Sequence, residues 1–391
     1  MWFFKWVGLL TSVLITLAGC YSLPLSSNYK GPQPRPPALD DYYRRDAQSS
    51  SYTEEKIRDE GSFIVRRFTV SSSQGPFIID YYQQPRKSDG VVFVFPLLGG
   101  KRNLVENYFA EYFAKNGIDA AIVHRNEDFK KPENFDRFEE VMRANIIRDR
   151  MAIDFFEDHL NKKKFGTFGI SRGAINVAIS AGVDPRLKYN VMLMGGSDLI
   201  DMFKHSDQKR IRKFVHTMMA QKNMSEEQIY EYLRGRTFTD PKYLARFIDG
   251  RNSLLILAQF DRTVPIKNGY LLRQELGDPE TIFLMAGHYT SILYTSFANI
   301  LLPTDSLSLI PLDYVESESL NFFNRSLNNS HLSFKIALIR TLRFPFDLIG
   351  RTANFLFASE NPQTKADTNT IAPPWEQPVL QAATAPMCIT N

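Results

Sequence analysis

Two cysteines stand in 391 residues, Cys20 and Cys388. A chain so poor in cysteine relies on its core and not on a disulfide framework. The six histidines are scattered. They form neither an H-E-x-x-H pattern nor a cluster with cysteine, so nothing asks for a metal. Excess charge is lacking too: 47 Lys and Arg face 43 Asp and Glu, a net of +4, which leaves no global case for nucleic acid. No internal repeat is present. The N-terminal apolar stretch, Val7 to Leu17, is short for a membrane span. What remains is ordinary globular material, 43% hydrophobic and 23% charged, enough for one large domain with appendages.

Residues 1–19 read as a leader. Lys5 precedes the apolar stretch, and the small residues Ala18-Gly19 mark a cleavage point. Leu17-Ala18-Gly19-Cys20 resembles the lipobox of bacterial lipoproteins. The resemblance implies cleavage before Cys20 and diacylglycerol on its sulfur, and hence a membrane anchor in the cell envelope. Tyr21, where an aspartate would signal retention, favours the outer membrane, facing the periplasm. Residues 20–51 then read as a lipidated cysteine and a tether, because Gly31-Pro32-Gln33-Pro34-Arg35-Pro36-Pro37 is extended.

A globular domain is expected over residues 52–330. Phe63 to Val70 and Phe77 to Tyr82 have strand character. Val91-Val92-Phe93-Val94-Phe95 is apolar throughout, as in a strand buried on both faces. Further strands are expected at Asp119–His124, Phe165–Ile170, Tyr189–Met194, Ser253–Gln259 and Thr281–Met285. Helices are expected at Asn103–Lys115, Phe138–Leu160 and Lys267–Leu276. The alternation implies an α/β chain with a doubly wound, mostly parallel sheet.

The most informative stretch is Gly169-Ile170-Ser171-Arg172-Gly173, which reads G-x-S-x-G between a strand and an apolar helix. That context makes a nucleophile elbow: two glycines leave room for a sharp turn, and the serine is held out at the end of the sheet. A nucleophilic serine needs a base and a group to orient it. Asp261 and His288 each stand just past the C-terminal end of an expected strand, where open α/β sheets gather their ligands. The order Ser171, Asp261, His288, with Asp-x-x-Val-Pro followed 27 residues later by Gly-His, resembles the α/β-hydrolase superfamily, its esterases and dienelactone-hydrolase-like members, from about Phe77 to about Leu327. The resemblance implies Ser171 as nucleophile, His288 as base then acid, and Asp261 as the orienting carboxylate.

Other residues compete. Asp198 follows a strand where some members carry the acid, and Ser197 sits in a turn. His124 ends a strand at the same edge and could line the pocket, while His159, His205 and His216 read as surface and His331 lies beyond the domain. The oxyanion needs two N–H donors. Arg172 supplies one at its helix start. By register Leu98 supplies the other and Leu97 is next in line, although Pro96-Leu97 replaces the usual His-Gly. Residues 201–252 read as a helical lid with 11 Lys and Arg against 7 Asp and Glu, clustered at Lys204, Lys209, Arg210, Arg212 and Lys213. Residues 331–360 form an apolar, basic extension broken by Pro345, with Arg343 on its apolar side, and 361–391 read as a disordered tail. The expectation is a lipid-anchored serine hydrolase with no cofactor, acting on an ester, itself a lipid in one version. A serine peptidase and a non-catalytic envelope binding protein on the same scaffold are the alternatives.

Overall fold

The apolar run Val91 to Phe95 lies at the middle of a sheet covered on both sides. The computed structural model describes residues 20–45, 51–72, 75–97, 103–297, 313–328, 330–357 and 371–377. The leader read over 1–19, the donor Leu98 and Cys388 fall outside them. The described strands are β1 (Cys20–Leu23), β2 (Tyr52–Asp59), β3 (Ile64–Val70), β4 (Phe77–Gln83), β5 (Gly90–Phe95), β6 (Ala120–Val123), β7 (Lys164–Ile170), β8 (Leu187–Leu193), β9 (Ser253–Ala258) and β10 (Glu280–Leu284). Across the sheet they run β1-β10-β9-β8-β7-β5-β6-β4-β3-β2. Neighbours from β6 through β5, β7, β8 and β9 to β10 are parallel. The meander β2-β3-β4 and the β4–β6 pair are antiparallel, as is β1 against β10.

Helices are α1 (Pro37–Tyr42), α2 (Leu104–Lys115), α3 (Phe138–Asp158), α4 (Arg172–Val183), α5 (Leu199–His205), α6 (Lys209–Lys222), α7 (Glu226–Arg234), α8 (Ile266–Glu275), α9 (Tyr314–Leu327) and α10 (Phe334–Phe357), with a single turn at Pro241–Leu244. The period of two in a strand decides what each layer covers. Val91, Phe93 and Phe95 enter one core with Met151 and Phe155 of α3, Val177 of α4 and Leu272 of α8. Val92 and Val94 enter the opposite core with Phe109 and Phe113 of α2 and Phe323 of α9. Between β8 and β9, α5, α6 and α7 carry a small core of their own, including Ile200, Val215, Met218, Ile229 and Leu233. Ser225 starts α7 with a capping box to Gln228.

Three stretches differ from the sequence reading. Residues 20–45 are not a free tether. β1 joins the sheet, the Tyr29 hydroxyl accepts from the Gly250 N–H at 2.8 Å, and Leu39 and Tyr43 are fully buried. The prolines of this segment keep it from forming a long helix but not from docking, and apolar side chains on an extended segment still find a core. The tail is also partly ordered: Trp375 is buried against Tyr42 and Tyr43, with centroids 5.1 and 5.8 Å away. Pro345 lies inside α10 and does not break it. His124 is bound to Asp80 at 2.7 Å, and Asp80 is gripped by Arg67 through both oxygens, so that histidine works within the sheet's antiparallel part.

α9 carries a buried acid. Glu316 is fully buried and accepts from the Tyr108 hydroxyl at 2.7 Å and the Ser296 N–H at 2.8 Å. Burial pushes its carboxyl up to about 7 from an ordinary 4.5. The folded protein thus holds that proton more tightly than the unfolded chain. The stability this lends is complete below the ordinary value and is lost as pH rises toward about 7. Glu316→Gln, which cannot ionise, is expected to unfold later than the parent above neutral pH, by on the order of 2 kcal/mol. The gap should close below about pH 4.5. Thermal unfolding across that range checks it, and a difference independent of pH would show that the ionisation is not what matters.

Candidate active site

β7 ends at Ile170, and the chain reverses at once into α4. Ser171 makes the reversal with φ 55° and ψ −118°, a conformation costly for a side chain bearing Cβ. The surroundings hold it there. Its N–H donates to Leu193 O at 2.8 Å, and its carbonyl accepts from Ile175 N at 3.1 Å. A Cβ on Gly169 would come 2.3 Å from the Gly173 carbonyl carbon, and one on Gly173 would come 2.4 Å from Phe95 O. Both glycines are therefore spacers that let α4 approach β5 and β7, as the elbow reading requires. The Arg172 N–H, at the first position of α4, has no acceptor within the helix and sits at its positive end.

Asp261 and His288, the candidate acid and base, follow the ends of β9 and β10. Asp261 is 5% exposed. Its Oδ1 accepts from the N–H groups of Thr263 and Val264, both at 2.9 Å, and its Oδ2 lies 2.6 Å from His288 Nδ1. A carboxylate there accepts a hydrogen bond from Nδ1–H, which fixes the tautomer and leaves the Nε2 lone pair free to act as a base. His288 is itself fixed, because its carbonyl accepts from the Ser291 hydroxyl at 2.6 Å and its ring meets Tyr289 edge-on at 5.3 Å. Among the described residues the Ser171 hydroxyl takes no hydrogen-bond partner, so the structure closes the Asp261–His288 contact and leaves the Ser171–His288 contact open. Such contacts commonly tighten only when substrate is bound.

The competing residues take no part in the Asp261–His288 contact. Asp198 caps α5 by accepting from the Asp201 N–H at 3.0 Å and pairs with Lys242 at 2.9 Å. Ser197 is fully buried. His205 lies beside Asp201 and Lys267 at the surface, and His159, His216 and His331 are exposed. No group of three His, Cys, Asp or Glu side chains among the described residues is placed to hold a metal.

Two features were not anticipated. The Leu97 N–H, next in line as an oxyanion donor, donates to Glu106 Oε1. Glu106 is buried in the first turn of α2, and burial raises its carboxyl above the ordinary range. In sequence it looks like any acid placed at a helix start, and nothing marks its turn toward the loop. The second is the Arg172 side chain. It lies over the Phe129 ring at 5.6 Å and donates to Met142 Sδ at 2.6 Å, with no carboxylate in ion-pair range among the described residues. Burial pulls it down to about 10. Of the basic cluster, Lys204 lies in α5, while Lys209, Arg212 and Lys213 of α6 line a shallow groove of about 560 Å³ with His216.

The strand order, the elbow after β7, and an acid and a base after β9 and β10 together define an α/β-hydrolase fold. Among solved structures, the chain is similar to acetyl xylan esterase 1 from Thermoanaerobacterium sp. JW/SL YS485, with TM-score 0.46 and 14% identity over 73% of this chain and 99% of that one. It is similar to an acetyl xylan esterase from Paenibacillus sp. R4, with TM-score 0.48 and 14% identity over 64% and 87%. It is also similar to the acylaminoacyl peptidase of Pyrococcus horikoshii, with TM-score 0.49 and 16% identity over 71% of this chain and 44% of that one. Likeness this distant carries no argument about substrate. No protein-family model matches the chain, and no curated protein does.

Proposed function

We propose that the chain is a serine hydrolase that cleaves carboxylic esters by acyl transfer. The observation that carries this is the 2.6 Å contact between His288 Nδ1 and a buried carboxylate that two backbone N–H groups hold, in a chain whose Ser171 has elbow geometry at the end of β7. Ser171 attacks the ester carbonyl as His288 Nε2 takes its proton. The oxyanion rests on the Arg172 N–H and on a second donor from the loop after β5, where Leu98 is assigned by register. His288 gives its proton to the leaving alcohol, then activates water to release the acyl group. Labelling by a fluorophosphonate probe tests this directly. The parent is expected to label on Ser171 and Ser171→Ala to stay unlabelled. A parent that takes no label, or a variant that labels equally, sinks the hydrolase reading.

We also propose that Cys20 carries the lipid anchor that its surroundings in sequence suggest, at an envelope membrane. The fold sets a condition on this. Cys20 is 1% exposed, paired with Leu284, and burial pushes its thiol up to about 11. A diacylglyceryl group cannot enter that space, so Cys20 must leave its pocket while Tyr21 to Leu23 stay in the sheet. Metabolic labelling with a fatty-acid analogue should mark the parent and not Cys20→Ser. Label that persists in the variant removes the anchor.

A further inference from the structure

Beside Ile336 and Ile339, α10 turns charged side chains inward. A surface helix ordinarily buries its apolar stripe and shows its charges to water. Here the inward side carries Arg343, 2% exposed, paired with Asp347 at 3.1 Å and Glu318 at 3.5 Å. The same guanidinium reaches the Tyr314 hydroxyl, and Ser22 Oγ at 3.1 Å. Asp347 accepts from the Ser22 N–H at 2.7 Å, and Arg351 Nε donates to Ser22 O at 3.0 Å. The outward side carries Phe334, Leu338, Leu342, Phe344, Leu348 and Ile349, exposed by 83%, 49%, 40%, 61%, 59% and 66%. One side chain of this kind on a surface needs no explanation, but a row of six along one helix marks a contact surface.

Charge and position say what the contact is. From Phe334 to Phe357 the one acid, Asp347, is buried, while Lys335, Arg340 and Arg343 pair with Asp313, with Glu280 and Glu318, and with Asp347 and Glu318, and Arg351 is the remaining basic residue. No acidic side chain of the helix therefore faces outward to repel an anionic surface. At 24 residues the helix is about 36 Å long, and no described helix is long and apolar enough to cross a membrane. It has the make-up of a helix that lies in an interface, not through it. Its C-terminal half touches β1: a Cβ on Gly350 would come 2.3 Å from the Tyr21 ring. Cys20, where the lipobox-like stretch ends, therefore stands beside this helix.

We propose that the outward face of α10 is a docking surface for an anionic phospholipid bilayer. The helix lies parallel to the membrane, and its apolar row sits in the headgroup region. This is independent of the Ser171 chemistry and of any lipid on Cys20, and it makes the protein a membrane binder in its own right.

The test uses the chain from residue 20 onward with Cys20→Ser, which keeps every described residue but Cys20 and cannot be lipidated. It is expected to float with vesicles of phosphatidylcholine and phosphatidylglycerol, and less with phosphatidylcholine alone. Phe344→Trp emission should shift to the blue on binding. Replacing Leu342, Leu348 and Ile349 together by Glu should lower the bound fraction at least about tenfold, because three apolar side chains no longer leave water. Fluorophosphonate labelling and the unfolding temperature should not change, which separates lost docking from lost folding and from failure of the hydrolase reading. Four outcomes overturn the proposal: no flotation, equal flotation of the triple variant, flotation only when residues 1–19 are attached, or a dimer through the same face without flotation.

Discussion

Asp261→Asn is expected to lower kcat/KM for a soluble short-chain ester by roughly four orders of magnitude, while Ser171→Ala abolishes turnover. The local bonds explain why so small a change costs so much. Oδ1 of Asp261 accepts from two N–H groups, and Oδ2 faces His288 Nδ1. An asparagine must keep its oxygen on the two N–H groups, since its NH2 cannot accept from them. The NH2 then faces Nδ1 and selects the tautomer with the proton on Nε2. That nitrogen can no longer take the proton of Ser171. Four orders of magnitude correspond to about 5.4 kcal/mol of barrier. Asp198→Asn should leave the rate within about threefold, because its carboxylate caps α5 and pairs with Lys242 and acts on stability alone. Steady-state rates of the two variants decide. A large loss at Asp198 with little at Asp261 would exchange the two roles.

Arg343→Met should cost about 3–5 kcal/mol of stability, the usual result of removing one member of a buried ionic group. Glu318 is fully buried and Asp347 is 7% exposed at its side chain. Without the guanidinium, Asp347 keeps only its bonds to Ser22, and Glu318 keeps only Arg340 at 2.7 Å. Methionine fills the space but satisfies neither charge. Adding Glu318→Gln and Asp347→Asn to Arg343→Met should recover part of the loss, since the uncompensated charges are then gone. Denaturant unfolding of the single and triple variants measures both numbers. If the single variant is as stable as the parent, the network holds nothing together.

Much of the fold was legible because the sheet's interior writes itself plainly. Strands buried on both faces, such as β5 and β9, are continuous apolar runs. Asp261 and His288 could be paired on paper because each stands a few residues past such a run, and the structure brings them to 2.6 Å. What escaped is structure that depends on partners far away in the chain. β1 is four residues long and is a strand only because Leu284 and its neighbours lie alongside. β2 is exposed at all eight residues and carries no burial pattern, so its backbone ladder with β3 alone makes it a strand. Arg343 spoiled the apolar stripe on paper because its partners, Glu318, Tyr314 and Ser22, come from elsewhere. Leu97 was counted as a free donor because nothing local reveals Glu106 beside it.

The two margins of the sheet are guarded by different means. β2 has Glu54, Glu55, Lys56, Arg58 and Asp59 along it and an irregularity in register between Lys56 and Arg58. Charge and a kink make it a poor template for another chain. At the other margin β10 reads Glu-Thr-Ile-Phe-Leu, apolar at its centre, and it is shielded only because β1 lies on it and α10 clasps β1 through Ser22. Losing α10 would therefore do more than shorten the protein. It would loosen the cover from β10 and bare a row of unpaired N–H and C=O groups beside Ile282 and Phe283, the kind of surface on which chains add to one another. A truncation ahead of α10 should thus accumulate as aggregate even where its Ser171 site still forms.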